Sequence, residues 1–124
     1  MKERIKVGII GFGRMGGFYL TEMLKNPKWE VAYICDVDPE ARAYARKFSP
    51  MSKVVADEDI VFADPQVQVV GLFTLANNRL EQIEKAVRAG KHIISEKPVA
   101  DTIDREWEAV RLIESSKQLA TVNL

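Results

Sequence analysis

The chain predicts an α/β protein, a doubly wound parallel sheet with helices on both faces. Three observations lead there. Strand-like and helix-like segments alternate along the 124 residues with no low-complexity linker and no clear internal repeat, which is the rhythm of parallel α/β architecture. The first apolar run, residues 5–10, is broken only by Lys6 and Gly8, as expected of a strand covered on both faces. That run passes into a helix through glycines at Gly11, Gly13 and Gly16.

Each further element has its own justification. Residues 15–25 read as the first helix, with Phe18, Leu20, Met23 and Leu24 available for its buried side and Asn26-Pro27 ending it. Residues 30–35 form the second strand, closed by Asp36-Val37-Asp38-Pro39. The second helix spans 39–48, because proline is favoured at a first helical position and Ala41, Ala43, Ala45 and Lys47 are good helix formers. Ser49-Pro50 stops it. A short strand at 54–55 precedes a helical turn or two over 57–63, and Asp64-Pro65-Gln66 leads into 67–74, the strongest central strand. Residues 80–89 are amphipathic, with Ile83, Ala86 and Val87 at helical spacing and Gly90 placed to terminate the helix. A strand at 92–95, a long helix at 104–117 with Trp107, Val110, Leu112 and Ile113 as its apolar surface, and a strand at 119–124 complete the pattern.

Composition narrows the function. A chain of this length has room for one domain that buries roughly two thirds of its unfolded surface. With 18 basic and 18 acidic residues the formal net charge is zero, so no broad field favours nucleic acid or an anionic membrane. A small molecule or a protein is the expected partner. The apolar runs are far shorter than the roughly 20 residues of a membrane span, and Met1-Lys2-Glu3-Arg4 leads straight into a strand rather than a signal-peptide core. The expected location is cytoplasmic. A single cysteine, Cys35, excludes an internal disulfide framework and fits a reducing compartment.

The stretch Gly11-Phe12-Gly13-Arg14-Met15-Gly16 is a G-x-G-x-x-G turn between strand and helix, the nucleotide-binding loop of a Rossmann-type sheet. Gly11 permits the tight turn, Gly13 lets the backbone approach a pyrophosphate, and Gly16 allows close packing of helix on strand. Free N–H groups at the helix start then face the anion. Asp36 stands at the end of the second strand, 20 residues after Gly16, where an acidic side chain hydrogen-bonds an adenosine ribose. A carboxylate there accepts from the ribose hydroxyls and repels a 2′-phosphate, so NAD is the expected cofactor over NADP. Asp38 could modulate the same contact, and the plainer reading is that Asp36 simply opens an Asp-x-Asp-Pro turn. Arg14 points either at a pyrophosphate or into solvent.

Other reactive side chains are read more plainly. Cys35 reads as a small buried strand residue, since no histidine lies near it in sequence. His92, the only histidine, lacks visible partners for a triad or metal set and takes a structural or solvent-facing role. Ser95-Glu96-Lys97-Pro98 follows the fifth strand, on the sheet edge where α/β ligands bind. Lys97 there either gives a hydrogen bond or proton to a substrate oxygen beside a nicotinamide, or forms a solvated charge pair in a turn set by Pro98.

Taken together, the glycine turn, Cys35-Asp36-Val37-Asp38-Pro39, Ala89-Gly90-Lys91-His92 and Glu96-Lys97-Pro98 closely resemble the glucose-fructose oxidoreductase, inositol dehydrogenase and MocA family across nearly the whole chain. The resemblance implies a Rossmann domain for NAD or NADP, with Lys97 acting near the reacting carbon of a sugar, polyol or related hydroxyl-bearing substrate. It also adds Thr74 and Glu96 to the expected cofactor-binding residues. Two departures qualify it. Family members carry Thr-Pro-Asn-x-x-His after the fourth strand, lying by the cofactor; here Thr74 is kept, while Leu75, Ala76 and Arg79 replace the proline, asparagine and histidine. Loss of the proline is expected to loosen the turn, and Asn77 is the candidate to replace the lost amide by a one-residue shift. The family also has a C-terminal α/β domain that supplies the substrate pocket, and residues 1–124 correspond to the dinucleotide-binding domain without it.

The expected function is therefore the nucleotide-binding domain of an NAD-dependent oxidoreductase acting by hydride transfer, incomplete for catalysis as this chain. A non-catalytic dinucleotide-sensing or protein-interaction module is the alternative, motivated by the altered 74–79 stretch. A methyltransferase also uses a glycine loop followed by an acid, but the three-glycine spacing and Glu96-Lys97-Pro98 speak against it.

Overall fold

The computed structural model describes residues 3–122. In chain order the elements are β1 Ile5–Ile10, α1 Arg14–Lys25, β2 Trp29–Cys35, α2 Pro39–Phe48, β3 Lys53–Val55, α3 Glu58–Ala63, β4 Val69–Leu72, a 3-10 turn Ala76–Asn78, α4 Arg79–Arg88, β5 His92–Ser95, α5 Ile103–Glu114 and β6 Ala120–Val122. The strands pair in parallel in the order β3-β2-β1-β4-β5-β6. Strand order thus reverses between β1 and β4, the place where an open α/β sheet leaves a crevice beyond its carboxyl ends.

Two cores lie on opposite faces of the sheet. Val7, Ile9, Val31, Ile34 and Val69 meet Leu20 and Met23 of α1 and Ala45 of α2. On the other face Ile10, Tyr33, Cys35, Val70, Leu72 and Ile93 meet Val61 and Phe62 of α3, Ile83 and Ala86 of α4 and Ala109 of α5. β2 serves both faces with an irregular alternation, because its register with β1 slips between Val7, opposite Val31, and Gly8, opposite Tyr33. Ala32 is the extra residue. The bulge puts Val31 and Ile34, three apart, on one side and Tyr33 and Cys35 on the other.

Buried cations fasten the β4–β5 pair at both ends. Lys91, 2% exposed, precedes β5 and donates from Nζ to the carbonyls of Asp64 and Val67, each at 2.7 Å, in the segment that enters β4. Burial lowers its pKa, and the nearby Asp64 charge opposes that shift. Arg79 ties the opposite ends of the two strands.

Element boundaries differ from the sequence expectation by a few residues, and several apolar assignments are corrected. The fourth strand pairs only over Val69–Leu72 rather than 67–74, because the chain beyond leaves the ladder to build the site described below. The long final helix ends at Glu114, and the last strand is Ala120–Val122; residues 123–124 of that expected strand lie outside the described residues. Phe18 and Leu24 were expected on the buried side of α1 but are 57% and 51% exposed. Gly16, Leu20 and Met23 occupy that side instead. Phe18 stands about 160° round the helix from Leu20, and Leu24 lies at the rim of the buried arc. Trp107 of α5 is exposed for the same reason, two positions from the buried Ala109.

The sharpest packing constraint is at α1. A Cβ at Gly16 would collide with the Gly11 carbonyl oxygen, whereas one at the neighbouring Gly17 would meet nothing within 4 Å. Gly16→Ala is therefore expected to destabilise the fold by about 1–3 kcal/mol through backbone displacement. Gly17→Ala should stabilise it by about 0.5–1 kcal/mol through helix propensity. Urea titrations of the two variants check the opposite signs.

Candidate functional site

The carboxyl ends of β1, β2 and β4 surround a cleft of about 290 Å³ bordered by Gly11, Asp36, Asp57, Thr74, Asn78 and Gln82. Its floor is built from the glycine turn. Gly11 has φ +92° and a Cβ there would lie 2.7 Å from the Phe73 carbonyl oxygen, so this turn between β1 and α1, pressed against the end of β4, accepts only glycine without strain. A Cβ at Gly13 would meet no atom within 4 Å; the side-chain direction there opens into free space. Gly13 begins α1 with no side-chain hydrogen bond and no acidic residue in the first turn, whereas Asp38, Asp57 and Thr102 cap α2, α3 and α5. The amides at the start of α1 and its positive dipole end are thereby left for an outside acceptor. Arg14 is exposed at the first position of α1 and makes no hydrogen bond or ion pair among the described residues. Phe12 is buried and Met15 half-buried.

Asp36 joins the glycine turn to β2. Its Oδ2 accepts from the Phe12 N–H at 2.8 Å and its Oδ1 from the Asp38 N–H at 2.9 Å. The Asp-x-Asp-Pro turn and the inter-strand tie are thus made by the two oxygens of one carboxylate, each of which keeps a further lone pair. Asp38 is committed elsewhere, since its Oδ1 accepts from the Glu40 N–H at 3.0 Å as the cap of α2. Arg42 Nη1 donates to the Asp36 and Val37 carbonyls, both at 3.0 Å. Cys35 lies beneath, 3% exposed. Burial first, then the Glu58, Asp36 and Asp57 carboxylates, push its thiol up to about 12, with Arg42 opposing.

The far wall is a chain of side chains of which only Thr74 was expected from the sequence. Thr74 Oγ1 donates to Gln82 Oε1 at 2.6 Å, Gln82 Nε2 donates to Glu58 Oε1 at 2.9 Å, and Lys85 Nζ donates to Glu58 Oε2 at 3.0 Å and Asp59 Oδ1 at 2.8 Å. Thr74 is half-buried and Gln82 buried. Both asparagines are exposed on the 3-10 turn, and Asn78 borders the cleft.

Arg79 changes the expectation for the 74–79 stretch. It is 1% exposed, and its guanidinium donates to the carbonyls of Thr74, Glu96 and Pro98. The restraint that a proline would have given the turn comes instead from this fork of donors. Burial lowers the Arg79 pKa, and the Glu96 charge opposes the shift. Burial raises the Tyr19 pKa, and the Glu96 charge adds to the shift. Lys97 is exposed in this loop and has no hydrogen bond or ion pair among the described residues. His92 is structural: its Nδ1 accepts from the Leu119 N–H at 3.0 Å at the start of β6. Among the described residues no group of His, Cys, Asp and Glu is placed to hold a metal ion, and no helix is long and apolar enough to cross a membrane.

A six-stranded parallel sheet whose order reverses beside an uncapped, glycine-led helix and a carboxylate at the next strand end defines a dinucleotide-binding domain of the Rossmann class. Residues 5–124 match the model of the oxidoreductase family with an NAD-binding Rossmann fold, and the chain belongs to that glucose-fructose oxidoreductase, inositol dehydrogenase and MocA family. It is 34% identical over 104 residues to inositol 2-dehydrogenase/D-chiro-inositol 3-dehydrogenase of Lacticaseibacillus casei, covering 81% of this chain and 30% of that protein. It is 31% identical to the uncharacterized oxidoreductase YhhX of Escherichia coli, covering 90% of this chain and 32% of that one. The structure of scyllo-inositol dehydrogenase from Lactobacillus casei with bound NAD(H) and scyllo-inositol superimposes with a TM-score of 0.89 at 28% identity, over 98% of this chain and 36% of that one. The chain thus spans about a third of the length of these relatives.

The Cys35 environment has a measurable consequence. Relative to its ordinary value of 9.0, the thiolate population of the native chain at pH 8 is about a thousandfold lower. A colorimetric thiol reagent should react with the denatured chain and scarcely with the native one. The raised thiol pKa stabilises the fold below the unfolded value, and that contribution declines as pH rises from about 9 toward 12. The gap in urea midpoint between wild type and Cys35→Val should narrow over the same interval.

Proposed function

We propose that this chain is the cofactor-binding domain of an NAD-dependent oxidoreductase that acts on a hydroxyl-bearing substrate such as a sugar or polyol. The observation that carries the reading is the pairing of Gly13, with open space where a Cβ would stand, and Asp36, held at the edge of the same cleft. The residues present fit a dinucleotide. The uncapped start of α1, with Arg14 beside it, would receive the pyrophosphate. Gly11, Phe12, Gly13, Met15 and Gly16 would form its backbone cradle. The remaining lone pairs of Asp36 would take the adenosine ribose hydroxyls. Thr74 and Glu96 would border the nicotinamide end. When bound, the dinucleotide supplies the hydride acceptor or donor.

The preference for NAD over NADP rests on charge. Asp36, Asp57 and Glu58 lie around the adenosine end of the cleft. The neighbouring cations are engaged, Arg42 by two main-chain carbonyls and Lys85 by Glu58 and Asp59. A 2′-phosphate at that end would face three carboxylates, against the single charge of Arg42 that no carboxylate pairs among the described residues.

Lys97 is the proposed proton-handling residue. Its ammonium, on the loop after β5, would hold and release the proton of a substrate hydroxyl as the neighbouring carbon changes oxidation state. The remainder of a substrate pocket is expected from chain beyond these residues, as the relatives' greater length allows. A non-catalytic dinucleotide-sensing reading rests on the altered 74–79 stretch. The hold that Arg79 keeps on that stretch and on the Lys97 loop supports the enzymatic reading.

Titration calorimetry tests the cofactor assignment directly. NADH is expected to bind the isolated chain without turnover, and no detectable heat at millimolar NADH would overturn the reading. Asp36→Ala should weaken NADH about tenfold or more, the scale of losing hydrogen bonds to a charged acceptor, and weaken NADPH less. Equal losses for both would remove Asp36 from ribose recognition.

A further inference from the structure

The last main-chain bond between β4 and β5 runs from the Glu96 N–H to the Leu72 carbonyl at 3.1 Å, one step past the Leu72 and Ser95 pair. Beyond it the two segments part, one into the turn at Thr74 and the other into Glu96-Lys97-Pro98. A side chain takes over where the ladder ends. Arg79 Nη1 donates to the Glu96 carbonyl at 3.0 Å and to the Pro98 carbonyl, while Nη2 donates to the Thr74 carbonyl. We propose that Arg79 is a positioning residue for Lys97, holding the residues on both sides of it against the end of β4 so that its amine is presented from a rigid loop.

The residue type supports this assignment. Three carbonyls that converge from two segments need a planar donor with several N–H groups, and the guanidinium offers five in a fixed fork. Placing that charge in the interior is costly, and an apolar side chain of similar volume would fill the space without the penalty. An apolar residue would, however, remove this donor from all three carbonyls; that of Glu96 would keep the Ser95 hydroxyl at 2.9 Å, while those of Thr74 and Pro98 would turn toward water and carry the loop with them. What the arginine provides beyond packing is the geometry of residues 96–98. Lys97 depends on it. Its own side chain has no partner among the described residues, so its position is set by its flanks: Glu96 and Pro98 under Arg79, and the buried Ala100 just downstream. The same guanidinium holds Thr74, whose hydroxyl leads through Gln82 to Glu58 along the cleft wall. One group thereby sets the distance between the cleft and the lysine.

The inference rests on the proposed role of Lys97 only for its functional consequence; the ordering of the loop is testable without it. In the 15N-labelled chain, Arg79→Gln is expected to lower the heteronuclear NOE of the Glu96, Lys97 and Val99 amides and to speed their solvent exchange about tenfold, with the β1 and α1 amides unchanged. Arg79→Lys, which keeps the charge but not the fork, should restore part of the order and serves as the second variant if the glutamine chain does not fold. Uniform loss of thermal stability with the 96–99 amides unaltered would make Arg79 a packing residue and overturn the proposal. The role proposed for Lys97 stands or falls apart from this: its loss would leave the NMR result standing, because the amides report the order of the loop and not the use of the amine.

Discussion

The near-contact of α1 with the end of β1 is the constraint from which the rest of the sheet edge follows. With no Cβ at Gly16, the first turn of α1 rests on the Gly11 carbonyl, and this fixes where the helix starts. The starting point in turn fixes which amides are left without a side-chain cap and what space opens beside Gly13. Gly11 then turns at positive φ against the Phe73 carbonyl, so the same few residues also set how closely β4 approaches β1. Asp36 closes the third side by accepting from the Phe12 N–H. A cleft at the reversal of strand order is the geometric result.

Polar groups in the interior do the complementary work of holding strand ends. Lys91 and Arg79 are both almost fully buried, and both donate to main-chain carbonyls. One secures the entry to β4 and the other the exits of β4 and β5. Each cation satisfies carbonyls that a short strand cannot pair in its own ladder, and β4 and β5 have only four residues each. Interior charge is costly in general; here it is placed where main-chain acceptors would otherwise be lost to the ladder.

Much of this was legible in the residues. The strands at 5–10 and 92–95 and the helix at 39–48 were readable to the residue because their ends carry local signals: glycines after the first, Gly90-Lys91 before the second, and Asp38-Pro39 with Ser49-Pro50 around the third. Arg79 carried a signal that periodicity alone does not interpret. It lies four residues before Ile83 and seven before Ala86 on the buried stripe of α4, a charged residue where an apolar one belongs. Phe18 and Trp107 misled in the opposite sense, since hydrophobic character alone does not say which side of a helix meets the sheet. The bulge at Ala32 gave no sign at all, because a slip in register is a property of two strands rather than one.

The division between the two levels has a simple physical origin. Sequence by itself determined the class of fold, the glycine turn, the acid at the second strand end and the lysine loop, because each depends on local backbone freedom and on spacing along the chain. Tertiary structure alone decided that Asp36 gives one of its oxygens to the Phe12 N–H, far away along the chain. It also decided that Arg79 joins residues 74, 96 and 98. Those assignments depend on which carbonyls and amides converge once the sheet has formed, and hydrogen bonds over so short a range are specified by three-dimensional position and not by order in the chain.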